Sequence, residues 1–490
     1  MAATARPTNS STKDMPLDEM VRVWALGRGR GARPCEAQQP TAESRMRWWR
    51  RSDKLGMAVC ERRYAGVLQA ASPVSSSASR WHTPPTGGGN LPPRSQGSTL
   101  IHLWTPPHLM MDLDALHLRS ALALAENAVG LSDPNPRVGC VLTSADGRTV
   151  LGQGHTQAAG QAHAEVMALR DAAQQGHELR GCTAYVTLEP CSHHGRTPPC
   201  CEALIAAGLS RVVVALGDPN PAVNGQGLAH LRAAGIQVDC GSAEIAQAAQ
   251  ELNIGFFSRM QRGRPWVRAK AACSLDGRTA LPGGQSQWIT GPEARADGHA
   301  WRKRAAAVLS GVGTVRADNP RLDVRLVPTA RQPRRVIVDS QLNTPPSAQI
   351  FQHGEAPLLV AAQPSSERLR AFAALGAEVL CLPNPEARVD VAALLAELGR
   401  RGVNELHVEA GGGLNGSLAQ AGLVDEWLVY VAPLLIGPGR AVADLPELGD
   451  LAQAERWRFH EITALGQDLR QALREGYTPK PVATWPPWRG

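Results

Sequence analysis

Between His163 and Cys201 the chain reads HAEVMALRDAAQQGHELRGCTAYVTLEPCSHHGRTPPCC. It places His163 and Glu165 two residues apart, then Pro190-Cys191, then Cys200 after eight intervening residues. Imidazole and thiolate are the donors a tetrahedral zinc ion prefers, and a catalytic zinc keeps three protein ligands and one position open to water. A nearby carboxylate that is not itself a ligand can carry that water's proton. His163, Cys191 and Cys200 are therefore the expected zinc ligands and Glu165 the expected proton carrier. The alternative is a capping histidine and two buried thiols. A closed structural site would need Cys201 or His193 as fourth ligand, and Cys201 lies about 100° around a helix from Cys200.

The order H-x-E, then P-C, is that of zinc deaminases, whose second half is usually P-C-x-x-C. Here the spacing between the cysteines is longer. Asn135, in Asn135-Pro136-Arg137-Val138-Gly139, offers an amide suited to a pyrimidine ring, or is simply a turn residue.

These residues need elements to carry them. From Asp112 the sequence alternates helical and strand patterns. Val141 and its neighbours (140–144) and 149–154 read as a hairpin around Asp146-Gly147. The stretches 183–189, 211–216 and 236–240 read as further strands, with helices between them. Alternation of this kind predicts an α/β layered fold. His163 and Glu165 then open a helix, where partial positive charge favours anions, and both cysteines stand near helix N-termini, where thiolates are favoured. A helical link (242–265) leads to a second strand-rich unit. There 411–416, GGGLNG, fits G-x-G-x-x-G between strand and helix. That match is a phosphate cradle of a non-Rossmann fold or only a tight turn, since no ribose-binding acid follows in register. Arg302, Arg316, Arg321 and Arg325 are candidate phosphate ligands or ordinary surface charges. One last strand is expected within 458–473.

At 490 residues the chain exceeds one core. Its net charge of +7 is concentrated in residues 1–110, which hold 15 Lys and Arg against 7 Asp and Glu. The remainder is near neutral, which argues against a nucleic-acid surface. Ten scattered cysteines and no secretory signal suggest reduced thiols in the cytoplasm, and no apolar run is long enough to span a membrane. Residues 1–110, rich in Arg, Ser and Pro, read as a disordered extension or a mis-called start at Met110 or Met111. Acidic residues such as Asp14 and Glu19 count against a transit peptide. The division expected is 1–110, a zinc deaminase domain over 111–256, a second domain over 257–475 and a tail over 476–490.

From residue 112 to about 473 the chain resembles the bifunctional deaminase/reductase family of riboflavin biosynthesis. The matching stretches are PNPRVGCVL, HAEVMAL, TLEPCSHHGRTPPCC, DPNPAVNGQG, SLDGRTA, SQWITGPEAR, VRADNPRLDVR and VEAGGGLNGSL. The long cysteine spacing fits that family, whose insert helps form the substrate pocket. The resemblance implies a cytidine-deaminase-like three-layer α/β domain followed by a dihydrofolate-reductase-like domain. It implies zinc on His163, Cys191 and Cys200, with Glu165 moving the proton. It implies deamination of 2,5-diamino-6-(5-phosphoribosylamino)pyrimidin-4(3H)-one, then NADPH-dependent reduction of the ribosyl group. The implied NADPH contacts are Ala272, Trp288, Thr314, Asp318, Ser340 and the turn Gly411, Gly412, Gly413, Leu414, Asn415, Gly416 and Ser417. The implied substrate contacts are Ser286, Arg302, Leu322, Arg325 and Glu409, the two arginines suiting the phosphate. Small pyrimidine nucleotides are the expected partners, without nucleic acid or membrane, and a homo-oligomer is left open. The rival readings are a nucleic-acid-editing deaminase and a single-activity enzyme whose other domain is a scaffold.

Overall fold

The computed structural model describes residues 112–192, 198–221 and 223–475, all within one compact unit. The expectations for residues 1–110, for the tail from 476 and for the insert at 193–197 lie outside the described residues.

The first domain runs α1 (Leu113–Glu126), β1 (Gly139–Thr143), β2 (Val150–His155), α2 (Ala164–Gln174), β3 (Thr183–Val186), α3 (Cys200–Ala206), β4 (Arg211–Val214), α4 (Gln226–Ala233), β5 (Gln237–Cys240), α5 (Ala243–Leu252) and α6 (Ile254–Arg262). Its sheet has the order β2-β1-β3-β4-β5, antiparallel on both sides of β1 and parallel from β3 to β5. Successive strand residues point to opposite faces. Cys140 and Leu142 therefore meet Ala164, Ala168, Leu204, Leu228 and Phe257, while Val141, Tyr185 and Val213 meet Leu118, Ala121 and Ile245. This is the expected three-layer arrangement.

Two glycines set how close α2 comes to the sheet. A Cβ on Gly154 would lie 2.6 Å from the Ala164 carbonyl oxygen, and one on Gly152 would lie 2.4 Å from that of Ala168. Ala164, Ala168 and Ala172, one turn apart, present only methyl groups to β2. The N-terminus of α2, which carries the first candidate ligand, is thereby held against the sheet edge.

The second domain runs β6 (Trp266–Ser274), β7 (Arg278–Ala280), α7 (Pro292–Arg304), β8 (Ala307–Gly311), α8 (Val312–Asp318), β9 (Arg334–Val338), α9 (Gln349–Gln352), β10 (Leu358–Ala361), α10 (Ser366–Ala374), β11 (Glu378–Cys381), α11 (Val391–Arg400), β12 (Glu405–Val408), α12 (Gly412–Gln420), β13 (Glu426–Ala432), β14 (Arg440–Ala441), β15 (Arg458–Leu465) and β16 (Asp468–Arg474). Nine strands form one sheet, β11-β10-β9-β8-β12-β6-β13-β16-β15, parallel from β11 to β13 and antiparallel beyond. The single strand expected in 458–473 is a hairpin of two. Gly466, with φ +63°, and Gln467 close it between Leu465 and Asp468, the two-residue loop that favours a positive φ.

The expected domain boundary at 256/257 falls inside α6. Phe256 and Phe257 both pack into the core of the first domain, and β6 begins at Trp266.

The central strands carry polar residues on one face. Glu405 and His407 on β12 lead in register to Glu409; Arg268 and Lys270 lie on β6, and Glu426 and Tyr430 on β13. Arg268 is paired with Glu405 (2.9 Å) and Glu426 (2.9 Å), and its guanidinium stacks 4.3 Å from the Trp301 ring of α7. The opposite face, with Val267, Leu406 and Val408, is apolar and packs against Leu398 of α11.

Candidate active sites

In the first domain, α2 starts at the end of the loop that follows β2, the Cys191 loop follows β3, and α3 starts at Cys200. These ends meet at one sheet edge. The ring Nδ1 of His163 lies 3.7 Å from the Cys191 sulfur and 3.4 Å from the Cys200 sulfur, and the three donor atoms are all within 4.8 Å of one another. A tetrahedral zinc with Zn–S about 2.3 Å and Zn–N about 2.0 Å requires N···S edges of about 3.5 Å. The donor set therefore fits zinc, and it is the one such cluster among the described residues. Cys201, an alternative ligand by sequence, instead donates its thiol to the carbonyls of Pro190 (3.3 Å) and Gly227 (3.5 Å).

Glu165 is 3 % exposed. Burial, and then the charge of Cys191, push its carboxyl up to about 7, into the range suited to accepting and returning a proton near neutrality. A hydrogen bond from the Cys200 thiol, then the His163 ring, hold Cys191 down to about 4, while the same thiol contact and burial push Cys200 up. Cys191 is thus the readier thiolate of the pair. The bond to Cys191 in turn raises His163 above the ordinary histidine value.

Sequence reasoning missed Glu189, which fixes the Cys191 loop. It is buried, and its carboxylate accepts from the backbone N–H groups of Asp218 (3.2 Å), Gly225 (2.9 Å) and Gly227 (3.0 Å), so it caps α4 from the foot of the loop. A carboxylate one residue before the Pro190-Cys191 pair was the available signal.

Asn135 occupies the loop before β1. Its N–H donates to the Ser132 carbonyl at 2.9 Å, and its own carbonyl accepts from the Ser132 hydroxyl, which is turn geometry. Its amide has no hydrogen-bond partner among the described residues.

In the second domain a cavity of about 2800 Å³ runs along the C-terminal ends of the parallel strands. Ligands in open α/β sheets bind at such an edge. Every residue expected to contact NADPH lines it except Gly416, and so do all five expected substrate contacts of this domain, Ser286, Arg302, Leu322, Arg325 and Glu409.

Four of the expected residues have roles other than simple ligand contact. A Cβ on Gly416 would lie 2.1 Å from the Asp444 carbonyl oxygen, and one on Gly412 would lie 2.4 Å from the Asp444 carboxylate. These two glycines admit the strap around Asp444, leaving Gly411 and Gly413 open toward the cavity. Asn415 is buried and ties the turn to that strap, its amide donating to Val442 (2.9 Å) and Ala410 (3.3 Å). Arg302 grips Glu409 with two nitrogens and donates a third bond to the Asp323 carbonyl at 2.9 Å. Arg325 and Arg321, each 2.6 Å from Asp323 and about two-fifths exposed, present their remaining donors to the cavity side.

Two further residues were missed. Lys270 lines the cavity beneath Glu409 and Arg302; burial pulls its ammonium below the usual lysine value, and the Tyr430 ring lies 5.5 Å away. His299 accepts the backbone N–H of Arg325 at its Nδ1, 3.1 Å away, tying α7 to the arginine loop. A lysine in the apolar run of β6 was the signal for the first. Nothing in the sequence pointed to the second.

Comparison with known proteins agrees with this geometry. Residues 111–216 match the family model "Cytidine and deoxycytidylate deaminase zinc-binding region", and residues 265–470 match "RibD C-terminal domain". The chain is 44% identical over 369 residues to riboflavin biosynthesis protein RibD of Escherichia coli (strain K12), covering 73% of this chain and 98% of that protein. The Acinetobacter baumannii RibD structure, form 1, is 40% identical with a TM-score of 0.67, over 74% of this chain and 98% of that one. A Thermotoga maritima structure described as a diaminohydroxyphosphoribosylaminopyrimidine deaminase/5-amino-6-(5-phosphoribosylamino)uracil reductase is 29% identical with a TM-score of 0.66, over the same shares of the two chains. With both halves matched over nearly the full length of these relatives, the chain belongs to the RibD family, the bifunctional deaminase/reductases of riboflavin biosynthesis.

Proposed function

We propose that the first domain hydrolytically deaminates 2,5-diamino-6-(5-phosphoribosylamino)pyrimidin-4(3H)-one with zinc. The second domain then reduces 5-amino-6-(5-phosphoribosylamino)uracil to the ribitylamino product with NADPH. The observation that carries the first half is the convergence of His163, Cys191 and Cys200 within 4.8 Å beside the buried Glu165. His163, Cys191 and Cys200 are the residues that would hold zinc, and the cavity edge from Ser340 to the Gly411–Gly413 turn would hold NADPH.

When bound, zinc supplies Lewis acidity toward water and NADPH supplies hydride. The chain's own groups do the rest. Glu165 accepts a proton from the attacking water and returns it to the leaving amine. Its burial supports this role, because a carboxyl near 7 exchanges protons at neutral pH. In the second domain Glu409, fixed by Arg302, orients the ribosyl hydroxyls. Arg325, with Arg321 beside it, suits the phosphate, and Lys270 lines the cavity near Glu409 and Arg302. Hydride transfer needs mainly this orientation. The near-neutral charge of the described domains supports a small nucleotide over a polymer. No helix among the described residues is long and apolar enough to cross a membrane.

A coupled assay tests the reading. With the diamino nucleotide, zinc and NADPH, the wild type should release ammonia and form NADP⁺. Glu165→Gln should lower ammonia release by about 10²–10⁴-fold, leaving NADPH oxidation on the deaminated intermediate intact. Activity on single-stranded DNA or RNA alone would refute it.

A further inference from the structure

The loop bearing Asn135 belongs by sequence to the first domain, yet the second domain holds it on both sides. Ahead of Asn135, the Asp133 carboxylate receives Arg331 (2.8 Å) and the Asn404 amide (3.0 Å). The same Asn404 amide donates to the Pro134 carbonyl at 3.1 Å, and Arg259 of α6 donates to both Asn404 (2.7 Å) and Pro134 (3.1 Å). Behind Asn135, the guanidinium of Arg137 reaches Glu405 (2.7 Å) and the Arg304 carbonyl (2.7 Å). Its backbone is bracketed by Asn253, which accepts the Arg137 N–H at 2.7 Å and donates to the Arg137 carbonyl at 2.9 Å.

The held loop adjoins the zinc ligands. Val138 N–H donates to Thr156 Oγ1 (3.2 Å) at the end of β2, the strand leading to His163. Gly139 N–H donates to Thr187 Oγ1 (3.0 Å) at the end of β3, the strand leading to Cys191. Asn135 thus sits in a loop whose far side is the second domain and whose near side is the ligand-bearing edge.

We propose that Arg331 and Asn404, both in the reductase half, are positioning residues of the deaminase: they fix the Asp133–Arg137 loop and so set where the Asn135 amide meets the pyrimidine. The proposal rests on the deaminase assignment above. Neither residue lines the reductase cavity, so their loss should be felt in the other domain's reaction. A displacement of about 1 Å in the Asn135 amide is enough to lose its hydrogen bond to the ring, which weakens binding of the nucleotide while the zinc edge and Glu165 stay in place.

The test uses the full chain with zinc. Arg331→Ala and Asn404→Ala should each raise the deaminase KM for the diamino nucleotide by about tenfold. The deaminase kcat, zinc content and reductase kinetics should stay within about twofold of wild type. Arg331→Lys, which retains the charge opposite Asp133, should recover part of the KM. Unchanged deaminase kinetics in both alanine variants would overturn the proposal, as would a parallel loss of both activities with the melting temperature. Wild-type protein that releases no ammonia would instead refute the deaminase assignment itself.

Discussion

Replacing Glu405 with Gln removes one negative charge, and almost no volume, from the most enclosed ion cluster among the described residues. Its carboxylate is 1 % exposed and receives Arg137 at 2.7 Å, Arg268 at 2.9 Å and Arg304 at 2.8 Å. These guanidinium groups hold its carboxyl well below the usual range against the opposing effect of burial. At such separations and an effective dielectric near 20, each pair contributes about 6 kcal/mol before desolvation. Desolvation returns most of that, and removing one partner of a buried pair costs about 3–5 kcal/mol net, because charges are left without compensation. For a body of roughly 360 residues unfolding with about 2.1 cal/mol/K per residue, the loss corresponds to about 4–7 °C in Tm. Differential scanning calorimetry at pH 7 measures it. Glu244→Gln, which breaks the exposed pair with Arg119, serves as control and should shift Tm by less than about 1 °C. If Glu405→Gln melts within a degree of wild type, the interior cluster is worth no more than a surface pair, and this account of it is wrong.

Gly412→Ala would place a methyl carbon 2.4 Å from the Asp444 carboxylate. It should raise the KM for NADPH by about tenfold while ammonia release is unchanged, as steady-state assays of the two half-reactions will show. His299 is pulled down to about 4 by burial and then by Arg302 and Arg325. The unfolded chain, with an ordinary histidine near 6.5, therefore binds the proton first as pH falls. Stability is lost between about pH 6.5 and 4, by at most about 2 kcal/mol at pH 5 for this group, and by less once solvent screening is counted. Urea unfolding at pH 7.5 and 5 should show that loss in wild type and a smaller one in His299→Asn, whose side-chain oxygen can still accept the Arg325 N–H; equal losses would reject the assignment.

Motifs made much of both sites legible. His163-x-Glu165 and Pro190-Cys191 required a metal edge, and strand-to-helix alternation required a layered fold to form it. The same local logic left detail open where tertiary contacts decide. The glycines at 412 and 416 look like part of a phosphate cradle, but their missing side chains answer Asp444, 28 to 32 residues further on. Arg302 looks like a free phosphate ligand, but Glu409 occupies its fork. The hairpin at 458–474 was hidden because β15 is largely exposed and the buried positions of β16 include Asp468 and Arg470, so no apolar alternation marks the turn. Glu405 was hidden for a related reason: a charged residue inside a strand looks like an edge position until its partners, over a hundred residues away, are placed around it.

The polar face of β12 bears on how such a protein can be rearranged. Glu405 at one end of this strand faces the deaminase loop through Arg137, and at the other end the strand runs out to Glu409 in the reductase cavity. Cutting the gene after α6 and splicing in a foreign deaminase would leave Glu405 and Asn404 without the guanidinium, carboxylate and carbonyl they now bind. A working chimera must therefore carry the Asp133–Arg137 loop across with the reductase, so the transferable module is discontinuous in the gene even though the two catalytic domains follow one another along the chain.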